Sequence, residues 1–126
     1  MQITHLDHVN VRTPQLATMV AWYRDVLGMT AGARPAFPFP GAWMYGGGTV
    51  MVHLVGIEDQ VATGSEVSLK LEHFAFRATG AAAFEQRLKS AGERYRRIDL
   101  AAINTAAFNV WDPDGNHIHV DFPLDE

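Results

Sequence analysis

Asp7-His8-Val9-Asn10-Val11-Arg12 is answered later in the chain by Glu72-His73-Phe74-Ala75-Phe76-Arg77, and this echo decides the fold. In both stretches an acid precedes a histidine and an arginine follows it four positions on. Each stretch leads to a second histidine in an apolar run, Val52-His53-Leu54 in the first half and Ile118-His119-Val120 in the second. The spacing is 45 residues from His8 to His53 and 46 from His73 to His119. A repeated unit dictates architecture, so the chain reads as two copies of one module. Four histidines at equivalent points of two copies, meeting near a pseudo-two-fold axis, make a candidate metal site.

The order of elements repeats as well. Residues 4–12 alternate, with His8, Asn10 and Arg12 on one face and Val9 and Val11 on the other, which is strand periodicity. Thr13-Pro14 then reads as an N-cap and first helical position, with Leu16, Met19, Val20, Tyr23 and Leu27 at helical spacing and Gly28 as the stop. Strands are expected at 29–34, 42–46 and 49–55, the last two joined by Gly46-Gly47-Gly48. In the second copy a strand at 68–77 precedes Thr79 as N-cap, a helix carrying Ala81, Phe84, Leu88 and Ala91, and Gly92 at its end. Strands at 94–98, 105–111 and 116–122 follow, with Asp112-Pro113-Asp114-Gly115-Asn116 as a tight turn. The fold class is therefore α+β: one domain of two βαβββ modules, about 1–56 and 68–126, joined by a linker at 57–67. The apolar stripes of both helices need one sheet face, so a curved, cup-shaped mixed sheet with the helices outside is expected. His8, His53, His73 and His119 then line the concave side.

A chain of 126 residues with a net charge of −4 carries no basic stripe, which sets nucleic acid aside as a partner. Arg94, Arg96 and Arg97 read as a solvated strand edge. The lack of cysteine excludes disulfides and thiolate metal ligands. No apolar run approaches the roughly 20 residues that span a membrane, and the N-terminal residues lack a signal-peptide pattern. A cytoplasmic, soluble protein is expected.

Imidazole nitrogen suits Zn, Fe, Ni and Co better than Ca or Mg. The bland alternative is a decayed repeat whose histidines only hydrogen-bond inside the cup. His117, two residues before His119, shares its face and is a rim residue or a substrate contact. His5 falls on the opposite face from His8 and reads as structural. Arg12 and Arg77 are expected to pair with carboxylates at the cup's end. The stretch from Pro35 to Trp43 is unusually apolar for a loop, and reads as a flap, a subunit contact or core packing.

Leu6-Asp7-His8-Val9, Trp22-Tyr23-Arg24-Asp25-Val26-Leu27-Gly28, His73-Phe74-Ala75-Phe76 and Asp112-Pro113-Asp114-Gly115-Asn116 together resemble the vicinal oxygen chelate superfamily. That group includes glyoxalase I, extradiol dioxygenases, fosfomycin-resistance transferases and bleomycin-resistance proteins. The resemblance implies one divalent transition metal ion (Zn, Fe, Ni, Co or Mn) held by His8, His53, His73 and His119. His8, His73 and His119 form the core of that set, with His53 as fourth ligand or as catalytic acid/base. The last-strand ligand of such proteins is usually glutamate, where this chain has His119. Glyoxalase I often has a second glutamate at the position of His53. The implied activity is metal-dependent lyase, isomerase or dioxygenase chemistry on a small vicinal-oxygen substrate, through Lewis-acid stabilisation of an enolate or oxyanion. The alternative is a metal-free sequestering protein of the bleomycin-resistance type. Phe39, Trp43, Tyr45, Trp111 and His117 are the candidate substrate contacts. A homodimer is expected, as is usual for relatives of this size.

Overall fold

The computed structural model describes residues 1–2, 5–58 and 71–126. Its elements follow the repeated order: β1 (Val9–Thr13), α1 (Leu16–Asp25), β2 (Thr30–Gly32), β3 (Gly41–Gly46) and β4 (Thr49–Gly56), then β5 (Phe74–Arg77), α2 (Ala81–Ala91), β6 (Tyr95–Leu100), β7 (Thr105–Trp111) and β8 (His117–Pro123). The chain divides into two compact units, Met1–Ser65 and Glu66–Glu126. Each is a βαβββ module with a four-stranded mixed sheet, ordered β1-β4-β3-β2 in the first and β5-β8-β7-β6 in the second. Most of the linker expected at 57–67, and the start of the strand expected at 68–77, lie outside the described residues. No helix among the described residues is long and apolar enough to cross a membrane.

In both units the first strand pairs parallel with the last, and the remaining pairs are antiparallel. A parallel pair needs a crossover, which the module supplies as its helix and two intervening strands. The consequence is positional. Asn10 stands opposite His53 and Ala75 opposite His119, so the residue just before each first strand, His8 or His73, comes beside the last-strand histidine.

Alternation sorts the faces as expected. Val52, Leu54, Ile118 and Val120 are buried, while His53 and His119 between them are half-buried on the other face. In the first unit α1 packs Met19, Trp22 and Tyr23 toward the sheet, followed by Val26 just past its end. Met19 and Tyr23 belong to the expected stripe, while Leu16, Val20 and Leu27 are only half-buried and Trp22 and Val26 are buried in addition. In the second unit Phe84 of α2 meets Phe108 of β7 and Phe122 of β8 at ring distances of 5.6 and 5.5 Å. Such aromatic clusters add about 0.5–1.5 kcal/mol per pair beyond area burial.

Both expected N-caps are displaced. Thr13 is buried as the last residue of β1, and its hydroxyl accepts from the Gln15 backbone N–H at 3.1 Å without capping α1 itself. Thr79 yields the cap position of α2 to Gly80, whose φ is 88°. The orphan amides of Gly80 and Ala81 donate instead to the Glu126 carboxylate, at 2.9 and 2.6 Å. Both helices do end as expected, near Gly28 (φ 71°) and at Gly92 (φ 69°), in the left-handed conformation glycine adopts freely. A short 3₁₀ turn, Ala101–Ile103, is an addition that the sequence pattern did not signal.

Candidate functional site

The turn between β7 and β8 sets the register of the second unit's histidines. Asp112, 4% exposed, accepts from the backbone amides of Asp114 (3.1 Å) and Asn116 (2.9 Å) through Oδ1, and from Asn116 Nδ2 (2.8 Å) through Oδ2. With Gly115 at φ 83° the turn closes tightly, and β8 leaves it with His117 opposite Trp111 and His119 opposite Asn109.

In each unit the two histidines of the repeat are brought together as stacked rings. His8 and His53 lie 3.8 Å apart by ring centroid, at an interplanar angle of 18°; His73 and His119 lie 3.9 Å apart, at 5°. The acid before each lead histidine has a definite role. Asp7 Oδ2 accepts from His8 Nδ1 at 2.6 Å, and Glu72 Oε2 accepts from His73 Nδ1. An imidazole that donates through Nδ1 to a carboxylate keeps its lone pair on Nε2, the arrangement found around ligating histidines.

His117 joins this cluster. One ligand nitrogen each from His73, His117 and His119 lie within 4.8 Å of one another. His117 nevertheless has both nitrogens engaged, Nδ1 with Glu72 Oε1 at 2.7 Å and Nε2 with Asn109 Oδ1 at 2.9 Å. Asn109 donates its own amide N–H to the Arg96 carbonyl at 3.2 Å, so its oxygen must face His117. Both partners are acceptors, and a neutral imidazole has one N–H to donate, so the other His117 nitrogen keeps a lone pair. His73, His117 and His119 are the donors this unit offers, and Glu72 links His73 to His117.

Burial, then the neighbouring His8 charge, pushes the His53 pKa down; burial, then His73 and His117, does the same for His119. Both rings are thereby held toward the neutral form. His53 Nε2 is buried with no hydrogen-bond partner among the described residues, an orphan donor or acceptor of the kind a ligand satisfies. The donor set is all imidazole, and it fits a divalent transition metal. Asp121, on the same face two residues past His119, also has a buried, unpartnered Oδ1 among the described residues.

The expected substrate contacts divide. Trp43 stacks on His53 at 4.3 Å and 8°, making a three-ring stack with His8. Phe39 and Trp43 both line a cavity described below. Trp111 stacks on His117 at 5.1 Å and is covered on one face by Arg94 at 4.1 Å. Tyr45 is used structurally, donating to the Ala33 carbonyl at 2.7 Å and lying over Gly32. Arg77 donates to the Thr105 hydroxyl at 3.4 Å rather than to the expected carboxylate. Pattern reading did not single out Asn109 or Arg34, because each acquires its role only through strand register or loop path.

The sequence profile of the Glyoxalase/Bleomycin resistance protein/Dioxygenase superfamily matches residues 5–120. The chain belongs to that superfamily. No curated protein sequence matches it significantly. Solved structures of the superfamily's fold are similar throughout. A glyoxalase family protein from Bacillus anthracis shares 24% identity, with 98% of each chain covered and a TM-score of 0.78. Lactoylglutathione lyase from Agrobacterium tumefaciens shares 17%, covering 97% of this chain and 96% of that one at a TM-score of 0.70. The genomically encoded fosfomycin resistance protein from Listeria monocytogenes shares 11%, covering 96% and 94% at 0.73. At these identities the likeness speaks to fold; within the superfamily, the reaction must be argued from this chain's own side chains.

Proposed function

We propose that this chain is a metal-dependent enzyme acting on a small molecule with two adjacent oxygens, with His8, His53, His73 and His119 as ligands of a divalent transition metal ion. The observation that supports this reading is the duplicated histidine pair, stacked at 3.8 Å in one unit and 3.9 Å in the other, with each lead histidine tied to the acid before it. Bound there, the ion would supply Lewis acidity toward the two substrate oxygens. Asp7 and Glu72 orient His8 and His73 and hold the Nδ1–H tautomer. His53 is the residue for proton transfer when it is off the metal. Four neutral donors cancel none of the ion's charge, which favours anionic chelating substrates such as enolates and hydroxy acids. The protein is proposed to work as a cytoplasmic homodimer.

The aromatic wall of Phe37, Phe39 and Trp43 favours a second reading, a metal-free binding protein. Metal content decides between them. Tag-free protein purified without added metal should retain Zn, Fe, Ni, Co or Mn by elemental analysis, and His73→Ala and His119→Ala should lose it. A wild-type chain that neither retains nor takes up any of these ions would leave the binding protein as the surviving function.

A further inference from the structure

The face of the first sheet that carries His53 continues into a cavity of about 170 Å³, lined by Asn10, Arg34, Phe37, Phe39, Trp43 and His53 among others. The walls are aromatic. Phe37 and Phe39 stack at 5.2 Å and 10°, and Phe37 meets Trp43 at 6.4 Å. Set among these rings is one cation. The Arg34 guanidinium lies 5.0 Å from the centroids of both phenylalanine rings, and its Nη2 donates to the Phe39 carbonyl at 2.9 Å.

The chain makes room for this arginine. A Cβ at Gly41 would stand 2.6 Å from the Leu54 carbonyl, which calls for glycine there, and 3.1 Å from Arg34 Nη2, so the guanidinium lies close against β3. Arg34 is half-buried, and no carboxylate pairs with it among the described residues. A guanidinium has five N–H donors in a planar fork that matches a carboxylate. One backbone carbonyl and two ring faces leave most of that fork unused.

We propose that Arg34 is a specificity residue, and that this cavity takes a small organic anion with one ring or a short apolar body, its carboxylate on Arg34. The size argument is direct. An apolar cavity of about 150 Å³ holds benzene, so 170 Å³ has room for one ring. Phe37 and Phe39, about two-fifths exposed at 42% and 41%, are the surfaces such a body would cover. As a statement about substrate class this rests on the metal-dependent reading above; as a statement about binding it stands alone.

The test uses benzoate and its neutral isostere benzamide, titrated by calorimetry into the full chain, both treated with chelator and loaded with metal. Benzoate should bind about tenfold or more tightly than benzamide with or without metal, as a charge-assisted pair requires. Arg34→Gln should erase that preference while leaving the circular dichroism spectrum as in the wild type. Arg34→Lys, which keeps the charge but not the fork, should retain part of it. Equal affinity of the wild type for both compounds overturns the proposal. So does a preference that survives in Arg34→Gln, and if it then appears only in the metal-loaded chain, the carboxylate sits on the metal and the functional reading stands alone. A preference that depends on Arg34 in a chain unable to take up metal keeps this inference and removes the metal-dependent function.

Discussion

Replacing Glu72 with alanine should weaken divalent metal binding by about 10–100-fold, the usual cost of losing the carboxylate behind a ligating histidine. That is about 1.4–2.7 kcal/mol. The reasoning is geometric. Glu72 uses one oxygen for His73 Nδ1 and the other, at 2.7 Å, for His117 Nδ1. Without it His73 loses the acceptor that fixes its tautomer, and His117 is left with Asn109 alone. Glutamine has a single acceptor oxygen, so Glu72→Gln can serve only one of the two rings and should fall between wild type and alanine. The Glu72 side chain is 68% exposed, so its removal opens no core cavity. The metal-free form should then melt within about 0.5 kcal/mol of the wild type, as for other surface changes. Competition between the protein and a chromophoric chelator for Zn or Ni gives the affinity, and thermal melts of the chelator-treated protein give the control. Unchanged affinity in Glu72→Ala would refute the orienting role. An affinity loss matched by an equal loss of metal-free stability would show that Glu72 holds the fold rather than the ligand.

Asp112→Ala should destabilise the chain by about 1–3 kcal/mol in all, because its carboxylate accepts three part-buried hydrogen bonds in the turn, lowering the melting temperature by several degrees; a shift under one degree would mean the turn is held by other bonds. Glu85 is held below its ordinary pKa of 4.5, first by the Tyr95 hydroxyl at 2.7 Å and then by Lys89. A depressed carboxylate contributes stability above its unfolded pKa that is lost as pH falls through the folded value. Tyr95→Phe should therefore flatten the fall of melting temperature on the acid side of about pH 4.5, and parallel acid limbs in the two proteins would count against this. With histidine at both positions where the resemblance puts glutamate, turnover of methylglyoxal and glutathione should stay well below the ordinary range of about 1–10³ s⁻¹ with Zn, Ni, Co or Mn. Turnover inside that range would place His53 or His119 off the metal. Light scattering at micromolar concentration should report a homodimer, and a monomer would remove that expectation.

Local pattern carried the modules a long way. Strand alternation around His53 and His119 assigned their faces, and the glycines at 28 and 92 marked the helix ends. What was not legible depended on distant partners. Thr13 and Thr79 have the right chemistry for N-caps, but β1 uses Thr13 and a carboxylate 46 residues beyond Gly80 takes the place of Thr79. The acids before His8 and His73 were visible as a repeated letter. Their hydrogen bonds follow from how the chain enters each first strand, which a periodicity cannot show.

The duplication also predicts equal roles for the two modules, and here register overrides it. Opposite His53 on the neighbouring strand stands Trp43; opposite His119, at the equivalent point, stands Asn109. The Trp43 indole stacks on His53, so the first unit's pair is walled by aromatic rings that lead to Phe37, Phe39 and Arg34. An amide must find hydrogen bonds, so the second unit's pair is bordered by the chain from Arg96 through Asn109 and His117 to Glu72. Neighbours with opposite demands on water thus flank the two matching imidazole pairs. Exchanging them tests whether that difference has functional weight. Trp43→Asn should cost affinity for benzoate and benzamide alike while leaving metal content intact, because it removes cavity wall and no donor. Asn109→Trp should disturb His117 first, because it removes the acceptor at 2.9 Å from His117 Nε2. If Trp43→Asn instead strips the metal without affecting ligand affinity, the first unit is not the substrate-facing half.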